Sequence, residues 1–241
     1  MDVVDPEPSR TGCIAIIQSS YIPWKGYFDI IHDAETFIFL DDVRFSHGDW
    51  RNRNKIKTRS GSKWLTIPVG RAHGRLIHEV MLPDTDWRNQ HWESITLNYL
   101  KAPFFHTYRP FFEEFYLGAK WSTLSDFNQA LIRGISSDIL GIKTRFRDSR
   151  EFPTSLRKDE RLIEILKSVG AKSYLSGPAA KSYIDPAHFE KAGIELVWKD
   201  YAGYPPYPQI GEPFEHGVTI LDLIFSVGPD APNYIWKWRE S

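Results

Sequence analysis

The sequence predicts an α/β fold of three layers, in which helices cover both faces of a mainly parallel β-sheet. The first observation is a pair of short apolar runs, Cys13–Gln18 and Thr36–Leu40, which are typical of strands buried on both faces. The second is a short helical pattern between them, over Tyr27–Asp33. The third is an amphipathic stretch over Lys158–Val169, followed by a strand candidate at Ser173–Leu175. Strands that alternate with helices in this way predict parallel βαβ units.

The other elements are predicted from hydrophobic spacing and from the residues that end helices and strands. Further helices are predicted over Asp86–Tyr99, Pro110–Tyr116, Leu124–Leu140, Ala179–Tyr183 and Ile220–Ser226. Further strands are predicted over Lys63–Val69, Leu76–Leu82, Lys143–Arg147 and Glu195–Trp198. The segment Tyr201–Pro213 is rich in proline and aromatic residues, so it is predicted to be irregular.

Composition narrows the class of protein. The 241 residues, of which 41% are hydrophobic, fit one domain over residues 13–241 after an acidic, flexible tail over residues 1–12. The single cysteine, Cys13, excludes an internal disulfide and a cysteine-based zinc site, and it is typical of a reducing compartment. A net charge of −1 gives no general attraction to nucleic acid or to a membrane surface. Without a membrane-length apolar run or a signal-peptide pattern, a cytoplasmic location is expected.

The loop after the first predicted strand, residues 18–29, is expected at the carboxyl edge of the sheet, where parallel α/β proteins bind ligands. Gly26 permits close approach of the backbone, and the start of the next helix suits an anion. Tyr21 and Trp24 are candidates to stack on a flat ring of the ligand. The alternative is a rigid Pro-Trp-Gly turn packed under the sheet, and residue types alone do not separate the two.

A basic segment lies within residues 41–57, and its positive charge is local because the whole chain is near neutral. Arginine forms paired hydrogen bonds with phosphate or carboxylate, and asparagine can recognise sugar hydroxyls or base edges. The alternative is a solvated basic loop. We expect this segment to meet the loop over residues 18–29, the Trp-bearing loop, in one cavity at an edge of the sheet. Its candidate substrate-binding residues are Trp50, Arg51, Asn52, Arg53, Asn54 and Lys55.

Two adjacent carboxylates, Asp41 and Asp42, follow the second predicted strand. They are candidates to hold sugar hydroxyls or to act as a base, and with Gln18 they form the candidate catalytic set. His47 and Asp49 would add donors for a divalent metal, but their spacing matches no metal signature. No metal site is therefore predicted.

Two later segments add candidates for substrate binding. A strand that ends at Ser176 and is followed by Gly177 and Pro178 directs backbone N–H groups into the crevice, although a plain strand-to-helix turn has the same sequence. The proline-rich segment after residue 203 carries Tyr207 and Gln209. It either closes over a ligand or packs against the protein surface with only a structural role.

Taken together, these segments resemble the WbqC-like family. The matching stretches are spread over almost the whole chain, roughly residues 14–228, and one departure is Ser19, where the family tends to have proline after Gln18. The matching stretches, in family order, are QSSYIPWKGYFD, FLDDVRFSHGDWRNRNKIK, WLTIPV, HWESITLNYLKAPFF, KSYLSGPAAKSYID and YPPYPQIGEPFEHGVTILDLIFSVG.

The resemblance implies a role in making bacterial surface polysaccharides, such as O-antigen, or other modified sugars. It suggests a transferase that acylates or aminoacylates a nucleotide-linked amino sugar, which is a small anionic substrate. It implies no particular cofactor, no oligomeric state, and no nucleic-acid or membrane partner.

Two other hypotheses stay open. One is a nucleotidyltransferase-like, adenylating enzyme, although the paired-histidine loop of such enzymes is missing before His32. The other is a non-catalytic partner that binds a sugar nucleotide and presents it to another enzyme. No Ser-His-Asp order, nucleophile elbow, Walker loop or glycine fingerprint distinguishes among them.

Overall fold

The structure is a computed structural model that describes residues 10–239. Most of the predicted tail, residues 1–12, therefore lies outside the described residues. The strands in the described part are β1 (Cys13–Ile17), β2 (Thr36–Phe39), β3 (Arg53–Thr58), β4 (Gly61–Thr66), β5 (Arg145–Asp148), β6 (Ser173–Ser176) and β7 (Glu195–Trp198). The α-helices there are α1 (Lys25–Asp33), α2 (Trp87–Tyr99), α3 (Phe105–Glu113), α4 (Leu124–Gly134), α5 (Lys158–Ser168), α6 (Pro186–Lys191) and α7 (Ile220–Val227).

Shorter helical turns extend or connect these elements. Helices α3 and α4 continue as π-helical turns over Glu114–Gly118 and Ile135–Ile139. Turns of 3-10 helix occur at Ile77–Glu79, Ser149–Glu151, Pro178–Ser182, Gly228–Tyr234 and Lys237–Arg239. None of the helices in residues 10–239 has the length and apolar character needed to cross a lipid bilayer.

The chain divides into two compact units. The sheet unit comprises residues 10–17, 30–40 and 142–200 of the described chain, and the hairpin unit comprises residues 18–29, 41–141 and 201–239. The single domain over residues 13–241 stays a prediction.

The sheet unit contains five parallel strands in the order β5-β2-β1-β6-β7. Ile14 of β1 pairs with Thr36 of β2 on one side and with Tyr174 of β6 on the other. Helices flank this sheet, so the predicted three-layer α/β class with a parallel sheet is confirmed. The strand order changes direction between β1 and β6, which is the kind of switch point where open α/β sheets bind ligands.

One face of the sheet packs on α5 and α6 because the apolar residues of each element coincide. Ile14 and Ile16 of β1 contact a cluster that includes Ile165 and Leu166 of α5 and Phe189 of α6. Full burial of each such side chain contributes roughly 1.5–3 kcal/mol. The amphipathic spacing of α5 is therefore sufficient to place this helix on the sheet.

The hairpin unit contains β3 and β4, which pair antiparallel from Arg53 opposite Thr66 to Thr58 opposite Gly61. The strand predicted over Lys63–Val69 is present as β4, but it lies in this hairpin and not in the parallel sheet. Part of the basic segment, for which the sequence predicts no regular element, is strand β3. The two-residue period of β3 buries Asn54 and Ile56 and directs Arg53 and Lys55 to the other face.

The prediction of a strand over Leu76–Leu82 is wrong. The structure has a 3-10 turn over Ile77–Glu79, bounded by isolated bridges at Leu76 and Met81. The Glu79 carboxylate accepts a hydrogen bond of 2.8 Å from the Leu76 N–H, which closes the turn. The alternating apolar residues had indicated a strand, but this local bond satisfies the backbone as a turn instead.

Candidate functional site

The Trp-bearing loop and the basic segment are in direct contact within the hairpin unit. The Tyr21 N–H donates to the Trp50 carbonyl oxygen at 2.9 Å. Asn54 Nδ2 donates to the Ile22 carbonyl oxygen at 2.8 Å and to the Tyr21 carbonyl oxygen at 3.2 Å. The Arg51 guanidinium reaches the Gln18 carbonyl oxygen at 3.3 Å. The two segments are therefore in contact through main-chain groups of the loop, and the expected cavity at an edge of the sheet stays a prediction.

The two asparagines of the basic segment hold backbone in place. Asn52 is buried and donates to the Ile67 carbonyl oxygen at 2.9 Å. Asn54 is also buried, and its Oδ1 accepts from the Lys55 N–H at 2.8 Å. Both amides position the hairpin, and their predicted contacts with substrate stay predictions.

An aromatic and cationic surface lies on the outer side of the hairpin. We define the hairpin face as Trp50, Arg53, Lys55 and Trp64. The two indoles are 45% and 42% exposed, and their ring centroids are 5.6 Å apart. The Arg53 guanidinium carbon lies 4.3 Å from the centroid of Trp64, and Lys55 Nζ lies 5.6 Å from it. Large exposed aromatic rings beside cations are the groups that bind flat anionic ligands.

The cations of this region differ in their partners. Arg51 Nε lies 3.6 Å from Asp49 Oδ2. Burial acts to raise the pKa of Asp49, but Arg51 and hydrogen bonds from Ser46 and the Trp50 N–H outweigh it and lower this pKa. Lys55 pairs with Glu215 at 2.5 Å. Arg53 forms no ion pair within the described residues, and its buried Nε has no hydrogen-bond partner there.

The candidate catalytic set is divided between the two segments. Gln18 begins the Trp-bearing loop, and Asp41 and Asp42 begin the basic segment. Asp41 is fully buried, and its Oδ2 accepts from Gln129 Nε2 at 3.0 Å. Asp42 is half-buried beside it. The Gln18 carbonyl oxygen accepts from the Tyr27 hydroxyl at 2.9 Å. The catalytic roles of these three residues stay predictions.

Tyr21 and Trp24, the predicted stacking residues, already have partners within the hairpin unit. The buried Tyr21 hydroxyl lies 2.7 Å from His91 Nδ1 and 2.6 Å from the Tyr116 hydroxyl. The half-buried Trp24 ring makes an edge contact with Tyr201, at 5.1 Å between centroids. Stacking of either ring on a ligand stays a prediction.

The irregular segment that carries Tyr207 and Gln209 is tied to a buried acid. The Tyr207 hydroxyl donates to Asp222 Oδ2 at 2.7 Å, and Gln209 Nε2 donates to the same oxygen at 2.6 Å. Gln209 Oε1 also accepts from the Glu215 N–H at 2.8 Å. Because Glu215 pairs with Lys55, Gln209 links the hairpin face to Asp222. Burial raises the pKa of Asp222 although its hydrogen bonds act in the opposite direction.

A buried amine lies under the same irregular segment. Lys25, at the start of α1, is 2% exposed. Its Nζ lies 4.8 Å from the Tyr204 ring centroid and 5.2 Å from that of Tyr207. Its one hydrogen bond in the described structure is a long one of 3.4 Å, donated to the Pro205 carbonyl oxygen. Burial lowers the pKa of Lys25 to about 8, although two nearby carboxylates act to raise it.

Ser176 is the predicted site residue that belongs to the sheet unit. It is buried at the carboxyl end of β6, next to the switch point of the sheet. The other candidates, from Gln18 to Gln209, belong to the hairpin unit.

Sequence reasoning missed three residues of this region. Lys25 lies inside the PWKGYF stretch, and no feature of the sequence distinguishes it as a functional residue from the residues beside it. Asp222 is a lone carboxylate in the apolar helix ILDLIFSV, and a charge in such a helix is a detectable signal because acids are rarely buried without a partner. Trp64 became part of the hairpin face only through cross-strand pairing with Lys55, which sequence spacing did not reveal.

The fold and this region define an α/β protein with a parallel sheet and a separate antiparallel hairpin that presents aromatic and cationic side chains. The chain belongs to the WbqC-like protein family, which matches residues 18–234. It is 42% identical over 230 residues to a Mycobacterium tuberculosis protein named "Uncharacterized protein Rv1507c", with 94% of this chain and 99% of that relative covered. No solved structure matched the chain significantly.

Proposed function

We propose that this protein is a transferase that acts on a nucleotide-linked amino sugar and transfers an acyl or aminoacyl group to its nitrogen. The setting would be the biosynthesis of bacterial surface polysaccharides or of other modified sugars. Membership of the WbqC-like family supports this setting. The observation that carries the proposal is the hairpin face, because its chemistry matches a nucleotide diphosphate.

The two indoles of the hairpin face suit the base or the sugar ring. Trp50 and Trp64 are tilted by 30° to each other and are both exposed, so an aromatic face is open to solvent. Stacking of a base on such a ring contributes about 1–3 kcal/mol. Stacking discriminates little among the bases, because every base has a π-face. Other groups of the protein must therefore determine which sugar binds.

Arg53 is the cation best suited to the diphosphate. It stacks on Trp64 at 4.3 Å, so its planar group is held in one orientation. Arg51 and Lys55 have the carboxylate partners Asp49 and Glu215, whereas Arg53 has no such partner in residues 10–239. Arginine binds phosphate through two parallel hydrogen bonds, which are stronger than bonds between neutral groups.

Calorimetric titration with a panel of nucleotide-linked amino sugars tests the proposal. We expect one of them to bind, and Arg53→Gln to weaken that binding by about tenfold or more, since a charge-assisted pair of hydrogen bonds exceeds about 1.4 kcal/mol. Lys63→Gln is the matched control, because Lys63 is an exposed cation of β4 that donates to Ser94 Oγ at 2.9 Å. The absence of binding across the panel, or equal weakening by both substitutions, would contradict the proposal.

Mass spectrometry then tests the reaction. The bound nucleotide sugar is incubated with thioester and aminoacyl donors, and we expect its mass to increase by one acyl group. Tight binding without any such product would instead support a non-catalytic partner that presents the sugar nucleotide to another enzyme.

A nucleotidyltransferase-like enzyme is the second candidate, and the sheet unit favours it. The switch point lies between β1 and β6, and β6 ends at Ser176 before Gly177 and Pro178. An adenylating enzyme would release pyrophosphate from ATP when the sugar substrate is present. Pyrophosphate release that Ser176→Ala reduces and Arg53→Gln leaves unchanged would favour this candidate over acyl transfer.

A further inference from the structure

We propose that Lys25 is the proton-transfer residue of the site, and that its neutral amine takes the proton from the ammonium group of the sugar before that nitrogen is acylated. This inference rests on the proposed function and names the group that activates its nucleophile. It depends on three features of Lys25: its enclosure, the absence of an ion-pair partner among the described residues, and the chain of contacts that links it to the hairpin face.

The enclosure of Lys25 is unusual for a lysine. The side chain is 2% exposed, and two tyrosine rings, of Tyr204 and Tyr207, cover its Nζ. A primary ammonium has three N–H donors, yet the described structure gives it one long hydrogen bond, to the Pro205 carbonyl oxygen. The two ring faces attract the charged ammonium, whereas burial without a carboxylate partner among the described residues favours the neutral amine.

The nearby acids are occupied by other partners. Asp29, on the same helix, pairs with Arg239 at 2.7 Å and accepts from the Tyr204 hydroxyl at 2.6 Å. Asp222, on α7, accepts from Tyr207 and Gln209. Among the described residues, no carboxylate oxygen lies within ion-pair distance of Lys25 Nζ. The two acids therefore act on Lys25 only at longer range.

The charged and titratable groups around the amine support a base that works near neutral pH. Asp29 and Asp222 act to raise the pKa of Lys25, but burial dominates and lowers it to about 8. Burial also lowers the pKa of His216, and the Lys25 charge acts in the same direction. Tyr204 and Tyr207 face the amine directly, and Arg239 pairs with Asp29. A general base is most effective when its pKa lies near the working pH.

A continuous set of contacts joins Lys25 to the hairpin face. Lys55 pairs with Glu215, whose N–H donates to Gln209. Gln209 shares Asp222 with Tyr207, and the ring of Tyr207 covers Lys25. The covering rings belong to an irregular segment with no helix or strand between residues 201 and 218. For Lys25 to act on a ligand bound at the hairpin face, this irregular segment must move away from the amine.

The proposed step is balanced in atoms and charge. The neutral Lys25 amine accepts one proton from the sugar ammonium, which gives a free sugar amine and a protonated Lys25. The sugar nitrogen attacks the carbonyl carbon of an activated acyl donor, such as a thioester, so a C–N bond forms and the C–S bond breaks. The proton lost from nitrogen goes to the departing thiolate, and Lys25 releases its own proton to water.

The first test needs no substrate. Lysine labelled with ¹³C at Cε and ¹⁵N at Nζ is titrated by NMR, and the Lys25 signal is assigned by its loss in Lys25→Arg. We expect a midpoint near pH 8, compared with about 10.4 for a lysine in water. A midpoint above pH 10 would overturn the proposal.

The second test uses the substrate identified by calorimetry. We expect Lys25→Met to lower kcat by about 100-fold or more while binding of the nucleotide sugar is kept, because general base catalysis contributes about that factor. Lys25→Arg, which keeps the charge but cannot act as a base, should lose kcat in the same way. The exposed Lys101→Met is the matched control and should be unchanged, and circular dichroism verifies the fold of each variant.

The outcomes separate the two proposals. If no nucleotide sugar binds the unaltered protein, the proposed function fails, and the role of Lys25 fails with it even if its midpoint is near pH 8. If the unaltered protein turns over and Lys25→Met keeps its kcat and its pH profile, only the role of Lys25 is overturned.

Discussion

The backbone N–H of Ser19 donates a hydrogen bond of 2.8 Å to Oδ1 of the buried Asp41. The other carboxylate oxygen accepts from Ser125 Oγ at 2.5 Å and from Gln129 Nε2 at 3.0 Å, both on α4. A single carboxylate thus connects α4 to the start of the Trp-bearing loop. This arrangement gives Asp41, which the sequence predicts to be catalytic, a structural function that its sequence position did not indicate.

Substitution Asp41→Asn should therefore destabilise the protein. An amide in this place presents N–H donors where the carboxylate accepted them, so at least one buried donor loses its partner. We expect a loss of about 2–3 kcal/mol in the free energy of unfolding, measured by urea denaturation. Asp84→Asn, in an exposed loop, is the control and should change stability little. Unchanged stability with lost turnover would instead indicate that Asp41 acts as a base.

The buried contact between Tyr21 and His91 predicts a pH dependence of stability. The pKa of His91 is lowered to about 4, chiefly by burial; a hydrogen bond with the Thr66 backbone acts to raise it, and the charge of Lys63 acts to lower it. A histidine in the unfolded chain has a pKa of about 6.5. The unfolded chain therefore binds more protons between pH 4 and 6.5, and stability is lost as the pH falls through this window.

We expect the contribution of His91 to fall by about 2 kcal/mol between pH 7 and pH 5. Urea denaturation at both pH values measures this change, and carboxylates that titrate nearby contribute to it as well. The variant His91→Gln isolates the histidine, because it should show a smaller loss over the same interval. An equal loss in both proteins would mean that His91 titrates normally in the fold.

Glycine at position 26 is required by the ring of Trp24. A Cβ atom added there would lie 2.3 Å from Trp24 Cζ2, which is closer than two atoms can pack. Gly26→Ala should therefore displace the indole and cost about 1–3 kcal/mol of stability by overpacking. Gly217→Ala is the matched control, since no atom lies within 4 Å of its Cβ. A gain in stability for Gly26→Ala would show that the indole can move without loss.

The parts of the fold that could be predicted from sequence are those specified by local patterns. The strands β1 and β2 are apolar runs with a short helix between them, and α5 carries its whole apolar face within eleven residues. Strand β3 was not recognised because four of its six residues are Arg, Asn or Lys and only Ile56 is apolar. Its burial depends on residues distant in sequence, such as Tyr99, whose hydroxyl accepts from the Lys57 N–H at 2.9 Å.

The candidate site, like the fold, could be predicted from the sequence only in part. Residue types indicated that the basic segment and the Trp-bearing loop belong together, and the hydrogen bonds of Asn54 join them. Sequence could not indicate that the asparagine amides face inward and that Arg53 faces outward on Trp64. That distinction follows from strand register, which is set by pairing with β4.

The enclosure of Lys25 predicts that its removal stabilises the protein. Its pKa is about 8 in the fold and 10.5 in the unfolded chain, so the unfolded chain binds more protons between these values. The stability of the unaltered protein should therefore increase as the pH rises from 8 to 10.5, and a constant cost remains below pH 8. Lys25→Met removes the buried charge and should lose this dependence.

At pH 7 we expect Lys25→Met to gain up to about 3 kcal/mol in the free energy of unfolding, measured by urea denaturation. Lys101→Met, at an exposed position, is the control and should leave stability unchanged. A less stable Lys25→Met with the original pH dependence would mean that the ammonium is well solvated in the fold. A residue that lowers stability and is nevertheless needed for turnover fits a functional role, because active sites keep groups that the fold alone would not favour.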